Sequence, residues 1–242
     1  MKKERVGILG GTFNPVHNGH LRAAAAVRKR FSLDRVLFIP SFIPPHKESA
    51  GIASPEERLR MVELAIRGRA AFIPSAVEIR AKGKSYSILT LNRIKKIYPR
   101  AWTFFILGVD AFLEIETWRE WERVLKQCLF IVVTRPGYRL RQARKVLGVA
   151  YRRRVRSVSR LEKVREQWFL GTRIFLLSID AADISSTEIR RRIREGRSIT
   201  GLVPAVVEGY IHKHGLYQKP SPRKMRSLGF PSNESARKPG HG

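Results

Sequence analysis

The chain has 242 residues, 43% of them hydrophobic and 9% aromatic, enough for one core of ordinary density and too little for two full-sized domains. Wholesale disorder and fibrous classes are excluded, and the single cysteine, Cys128, excludes an internal disulfide framework or a multi-cysteine zinc site and fits a reducing compartment. The formal net charge is +28, from 48 Lys and Arg against 20 Asp and Glu, a field able to attract nucleic acid, acidic membranes or polyphosphate ligands.

In chain order, Met1-Lys2-Lys3-Glu4-Arg5 looks like a secretory n-region, but the apolar run from Val6 to Leu9 stops at Gly10-Gly11, short of the ~7–15 apolar residues of an h-region. No run reaches the ~18 apolar residues of a spanning helix, so the expectation is a cytoplasmic protein with no membrane partner. Arg5–Leu9 reads as a strand, the glycine pair as a loop, and the alanine-rich pattern from Asn18 to Phe31 as a helix. Arg35–Ile39 is a second buried strand closed by Pro40, and Pro44-Pro45 holds the following loop extended. Ser54-Pro55-Glu56-Glu57 supplies an N-cap, a proline at N1 and an acid at N3, and Leu59, Val62 and Ile66 then form an apolar stripe. Further strands are predicted at Phe72–Ile79, Trp102–Leu107, Leu129–Thr134 and Arg173–Leu177. Helices are predicted near Ile88–Ile97, Trp118–Leu125, Ser186–Arg194 and Pro204–His214. This alternation describes a mostly parallel α/β sheet in a single domain spanning residues 1–218, with ligands expected where strand ends run into helix starts. There is no internal repeat.

Much of the charge lies outside any pocket. Between Lys219 and Gly242 six basic residues face one acid, Glu234, in a stretch where 11 of 24 residues are Pro, Gly or Ser, so 219–242 is expected to be a flexible tail. Between Arg139 and Arg165 eleven basic residues face Glu162 alone. Both clusters read as solvated surface, with attraction of nucleic acid incidental.

The segment Gly10-Gly-Thr-Phe-Asn-Pro-Val-His-Asn-Gly-His20 follows the first strand and opens the first helix, where glycines admit a ligand to the backbone and unpaired N–H groups face an anion. It is neither a dinucleotide fingerprint nor a Walker loop, and Gly83-Lys84-Ser85 fails the latter too, because Glu78 stands where a glycine is required. His17 and His20 share one helical face. A zinc site would need a third ligand, for which His46 is the candidate, so the expectation is no protein-held metal; the simpler alternative is a pair satisfied by the helix start. Ser185-Ser-Thr-Glu-Ile-Arg190 opens a second helix. Ser185 and Glu188 have capping-box spacing, and Ser186, Thr187 and Arg190 supply hydroxyls and a guanidinium to a phosphate site.

These two segments resemble the nucleotidylyltransferases with a His-x-x-His signature, and within them the bacterial nicotinate-nucleotide adenylyltransferases. Pro44-Pro-His-Lys47, Ser85–Leu91, Gly108-Val-Asp110, Thr117-Trp118, Arg135-Pro-Gly137 and Tyr210–Tyr217 carry the likeness onward, over about residues 5–217. Asn14 and Leu89 stand where relatives often have Asp, and 139–172 is unusually basic. The resemblance implies a Rossmann-like, doubly wound α/β fold, and adenylyl transfer from ATP to nicotinate mononucleotide with Mg²⁺ carried mainly by the ATP phosphates. It implies an ATP site of Gly10, Gly11, Thr12, Phe13, His17, His20, Gly108, Asp110, Ser186, Thr187 and Arg190, with His17, His20 and Arg190 catalytic. It implies a mononucleotide site of Lys47, Ser87, Trp118 and Arg135, with Trp118 against the pyridine ring. Trp118 and Trp121 have a competing reading as one helix face packed on the core, with Thr117 and Glu120 as a capping box. Three functional alternatives stay open: nicotinamide mononucleotide or phosphopantetheine as acceptor, a non-catalytic nucleotide or RNA binder, and an aminoacyl-tRNA synthetase, whose signature loop Lys224-Met-Arg-Ser227 only mimics. Homo-oligomer formation is left open.

Overall fold

β1 (Arg5–Gly11) is buried from Arg5 to Leu9 and leads through a turn into α1 (Asn18–Phe31), whose Leu21, Ala24, Val27 and Phe31 recur at helical spacing and join the core. The coordinates are those of a computed structural model, which describes residues 3–44, 51–134, 137–146, 148–159, 162, 164–180 and 183–218. Arg28, Lys29 and Arg30 crowd the last turn of α1, where the helix dipole favours cations, and Ser32 ends it in the left-handed conformation.

β2 (Arg35–Pro40) precedes α2 (Pro55–Ile66), which has the expected cap: Glu57 N–H donates to Ser54 Oγ at 3.1 Å and Ser54 N–H to Glu57 Oε2 at 2.9 Å. Its buried stripe is turned from the expected one and contains Arg58, Met61, Val62, Ala65 and Ile66, while Leu59 is only half-buried. β3 (Phe72–Pro74) is shorter than the predicted strand. Pro74 has no N–H for a further ladder bond, and Val77–Ala81 forms α3 instead.

Next come α4 (Ser87–Ile97), β4 (Trp102–Gly108), α5 (Val109–Leu113), a 3₁₀ turn at Ile115–Thr117, α6 (Trp121–Gln127) and β5 (Leu129–Val133). The helix expected from Trp118 begins at Trp121. The Thr117 hydroxyl bonds back to the Glu114 carbonyl at 2.8 Å, closing the 3₁₀ turn rather than capping a helix, and Glu120 adopts a φ of 55°. The basic stretch, read as surface, also contributes structure: a 3₁₀ turn at Leu140–Gln142, α7 (Ala143–Val146), α8 (Val149–Arg152), β6 (Val155–Val158) and α9 (Trp168–Gly171). β7 (Ile174–Leu177), α10 (Ser186–Arg194) and α11 (Ala205–Lys213) complete the described chain, and the 219–242 tail lies outside it.

The sheet runs β3-β2-β1-β4-β5-β7-β6, and each strand pairs parallel with its neighbours. Successive residues alternate between two apolar layers. Phe104, Ile106, Leu129 and Ile131 face the side of α1, α2, α10 and α11; Phe105, Leu107, Phe130 and Val132 face the side of α4, α5 and α6. Burial on both faces explains the unbroken apolar runs that the sequence shows. Gly7 is demanded by packing: a Cβ there would sit 2.8 Å from Leu33 Cδ1 and 3.0 Å from Ile106 Cδ1. Strand order reverses between β1 and β4, opening a crevice beyond their carboxyl ends, where ligands of doubly wound sheets bind. Among the described residues no helix is long and apolar enough to cross a membrane.

Candidate active site

Two turns far apart in sequence meet in that crevice. After β1 the chain passes Gly10, Gly11, Thr12 and the buried Phe13 to reach His17, the N-cap of α1. A Cβ on Gly10 or Gly11 would make only ordinary contacts, 3.8 Å from Phe105 and 3.5 Å from Phe13, so packing does not require this pair. Both glycines line the cavity, where they leave the backbone open to a ligand. The imidazoles of His17 and His20 stack at 3.6 Å between centroids and 29° between planes, and Phe13 meets His20 edge-on at 5.0 Å. His17 N–H donates to His20 Nδ1 at 3.2 Å. The helix-start role weighed for the pair is therefore real for His20. It also has a chemical consequence: an accepting Nδ1 leaves Nε2 as the protonated nitrogen of a neutral ring.

The second turn starts α10. Ser185 caps the helix by accepting from Glu188 N–H at 3.1 Å. Only half of the expected box forms, because the Glu188 carboxylate binds Arg191 and Arg192, which push its pKa down to about 2. Ser186 Oγ donates to the Pro15 carbonyl at 2.9 Å, and Arg190 Nη1 donates to the Asn14 carbonyl at 2.8 Å. Residues some 170 positions apart thus share one surface. Arg190 Nη2 reaches Thr187 Oγ1 at 3.4 Å, and partial burial draws the Arg190 pKa below the usual arginine value. Asn14 is itself buried. Its Nδ2 donates to the Gly51 carbonyl at 3.1 Å, and its Oδ1 accepts from Ala53 N–H at 3.0 Å and from the Tyr217 hydroxyl at 2.8 Å.

A cavity of about 620 Å³ is lined by Gly10, Gly11 and Thr12 of the glycine turn together with Ser87, Thr117 and Trp118. Trp118 packs edge-on to Phe105 at 5.9 Å and against the core, as its packing reading expects, and also lines the cavity. Ser87 begins α4; Gly108 precedes α5 at the exit of β4, and Asp110 lies in the first turn of that helix. Lys47 and Arg135, and His46 of the zinc alternative, fall outside the described residues. Among the described residues no three His, Cys, Asp or Glu side chains are grouped to hold a metal.

A model of the cytidylyltransferase-like family matches residues 8–192. Curated relatives from Pelobacter propionicus and Geotalea uraniireducens, each named a probable nicotinate-nucleotide adenylyltransferase, are 43% and 44% identical over 215 and 213 residues. Those alignments take in 89% and 88% of this chain and 99% and 98% of the relatives. The chain belongs to the nicotinate-nucleotide adenylyltransferase family. Its fold matches the Plasmodium falciparum nicotinic acid mononucleotide adenylyltransferase complexed with NaAD, with a TM-score of 0.66, 17% identity, and coverage of 88% of this chain and 97% of that one.

Two buried groups of this family member escaped the sequence reading. Arg58 is 1% exposed on α2, and Glu78, on α3, lines the cavity. Burial pulls the Arg58 pKa down and pushes the Glu78 pKa up. A signal for Arg58 was present: 58, 61, 62, 65 and 66 form an i, i+3, i+4, i+7, i+8 stripe with an arginine at its head. Glu78 had none, because 72–79 read as one strand.

Proposed function

We propose that the protein transfers the adenylyl group of ATP to the 5′-phosphate of nicotinate mononucleotide. An oxygen of that phosphate attacks the α-phosphorus, the bond from the α-phosphorus to the β-bridging oxygen breaks, and pyrophosphate leaves with the electron pair. The products are nicotinate adenine dinucleotide and pyrophosphate. The observation that carries this reading is the joining of the Asn14–Pro15 turn to Ser186 and Arg190, which brings two helix starts and a guanidinium together just beyond the Gly10–Thr12 turn, itself part of the cavity wall that includes Trp118.

A phosphate with a second pKa of ~6 is already largely deprotonated at neutral pH, so the nucleophile needs no general base. What remains is alignment and charge neutralisation; holding reactants in line is worth roughly 7–11 kcal/mol. In this reading Thr12 and His17 hold the ATP phosphates, and His20 offers its Nε2–H to the α-phosphoryl oxygens as charge builds. Thr187 and Arg190 face the β- and γ-phosphates, while Ser186, whose hydroxyl is turned to Pro15, contributes its position at the helix start. Gly108 and Asp110 border the ATP ribose, Ser87 and Trp118 receive the pyridine, and Lys47 and Arg135 add positive charge for the mononucleotide. Mg²⁺ is read as a companion of the triphosphate, and when bound it would neutralise phosphate charge. The exposed arginines of 139–156 lie apart from the cavity lining, so attraction of nucleic acid is incidental to this chemistry.

Pyrophosphate release measured with ATP and, separately, nicotinate mononucleotide, nicotinamide mononucleotide and phosphopantetheine tests the reading. Turnover is expected with the first. Preference for another acceptor reassigns the substrate, and turnover with none leaves a nucleotide-binding protein.

A further inference from the structure

One guanidinium ties the floor of the site together. Arg58 Nε donates to the Ala53 carbonyl at 2.9 Å, Nη1 to the Thr12 and Ser41 carbonyls at 2.9 and 2.6 Å, and Nη2 to the Phe42 carbonyl at 3.0 Å. Thr12 follows β1, Ser41 and Phe42 follow β2, and Ala53 precedes α2, so a single planar fork joins three separate segments at the strand exits. All four acceptors are main-chain carbonyls, a use of arginine for its fixed geometry rather than for pairing with an anion.

The connection continues toward the pyridine end. Phe42 N–H donates to Ser85 Oγ at 2.9 Å, the Ser85 hydroxyl bonds Glu78, and Thr90 Oγ1 donates to Glu78 Oε1 at 2.5 Å. Thr12 lines the cavity, as do Glu78, Ser85, Thr90 and Ser87. One partly buried polar chain therefore runs from the glycine turn to the wall that includes Ser87.

We propose that Arg58 is a positioning residue for adenylyl transfer. It sets the Gly10–Thr12 turn against the Ser41–Phe42 segment and, through Phe42, Ser85 and Glu78, against the wall that receives the pyridine. The two halves of the site are then held at the separation that brings the attacking oxygen in line with the α-phosphorus. This rests on the function proposed above. Arg58 itself is buried and is not part of the cavity lining.

Two variants test it. Arg58→Lys keeps the charge, but a point donor on a flexible stem cannot span four carbonyls in one plane. Ser85→Ala cuts the chain beyond Phe42 without removing a charge. For each, kcat, both Michaelis constants, the affinity for a non-hydrolysable ATP analogue and the melting temperature are measured. Arg58→Lys should bind the analogue within about threefold of wild type and lose about 100-fold in kcat, as expected when reactants are misplaced by about an ångström. Ser85→Ala should lose about tenfold in kcat, with the Michaelis constant for ATP unchanged. A merely structural role would lower the melting temperature while each folded molecule turned over at the wild-type rate, and that result overturns the inference. Should Arg58→Lys fail to fold, Ser85→Ala decides alone, and a kcat within twofold of wild type refutes the proposal. Wild-type protein that forms no dinucleotide overturns the functional reading and this inference with it, whereas active wild type with unimpaired variants overturns this inference only.

Discussion

Replacing Asn14 with alanine should destabilise the whole domain, because its side chain ties the end of the described chain to the phosphate turn. Asn14 is 4% exposed and makes three side-chain bonds: to the Gly51 carbonyl, the Ala53 N–H and the Tyr217 hydroxyl, the last across 203 positions of sequence. At about 1 kcal/mol net per bond, and more where a buried partner is stranded, Asn14→Ala should cost about 3 kcal/mol. For a domain of this size that is a fall of roughly 6–12 °C in melting temperature, readable by calorimetry or urea denaturation. Tyr217→Phe removes one of the three bonds and should cost about 1 kcal/mol. The double variant should show a coupling of about 1 kcal/mol, since the Tyr217 bond is already lost in Asn14→Ala. The Asn14 carbonyl that receives Arg190 survives the substitution, so ATP should still bind at saturating concentration. A loss below about 0.5 kcal/mol for Asn14→Ala, or strict additivity with Tyr217→Phe, would refute the assigned geometry.

Gly7→Ala should cost about 1–3 kcal/mol by overpacking against Leu33 and Ile106, measured by urea denaturation; a neutral result would mean that this strand contact relaxes freely. His20→Ala should lower kcat by about 10²–10³ while the dissociation constant for ATP moves far less, and equal losses in both would make His20 a plain binding residue. Trp118→Ala should raise the Michaelis constant for nicotinate mononucleotide with that for ATP nearly unchanged; an unfolded variant would assign Trp118 to the core. Burial raises the Glu78 pKa above its unfolded value of about 4.3, so its contribution to stability is complete below that pH and is lost as pH rises through the folded value. Wild type should accordingly lose stability relative to Glu78→Gln as pH rises from the unfolded value through the raised folded one in paired denaturation curves, and a pH-independent difference would contradict this.

Most elements were legible because their causes are local. Apolar runs marked the buried strands, and Ser54, Pro55 and Glu57 specified a helix start within four residues. The expected strand over 72–79 failed because apolar content does not report that Pro74 ends the ladder or that Glu78 finds partners in Ser85 and Thr90. β6 was hidden in a basic run because it is a four-residue edge strand whose two middle residues, Arg156 and Ser157, are exposed on opposite faces, leaving no apolar run or alternation to mark it. The Thr117–Glu120 spacing suited a cap, yet the hydroxyl found a nearer carbonyl in the 3₁₀ turn.

By itself, the sequence determined the class of fold, the two motif segments and the side chains available for phosphate chemistry, all encoded by spacings of a few residues. Tertiary structure alone decided that Arg190 reaches Asn14, that Tyr217 closes over the same residue, and that Arg58 belongs inside. Those contacts depend on the order in which the strands assemble and on where distant carbonyls converge. A buried polar group is tolerable only where its partners meet, and no local pattern records that meeting.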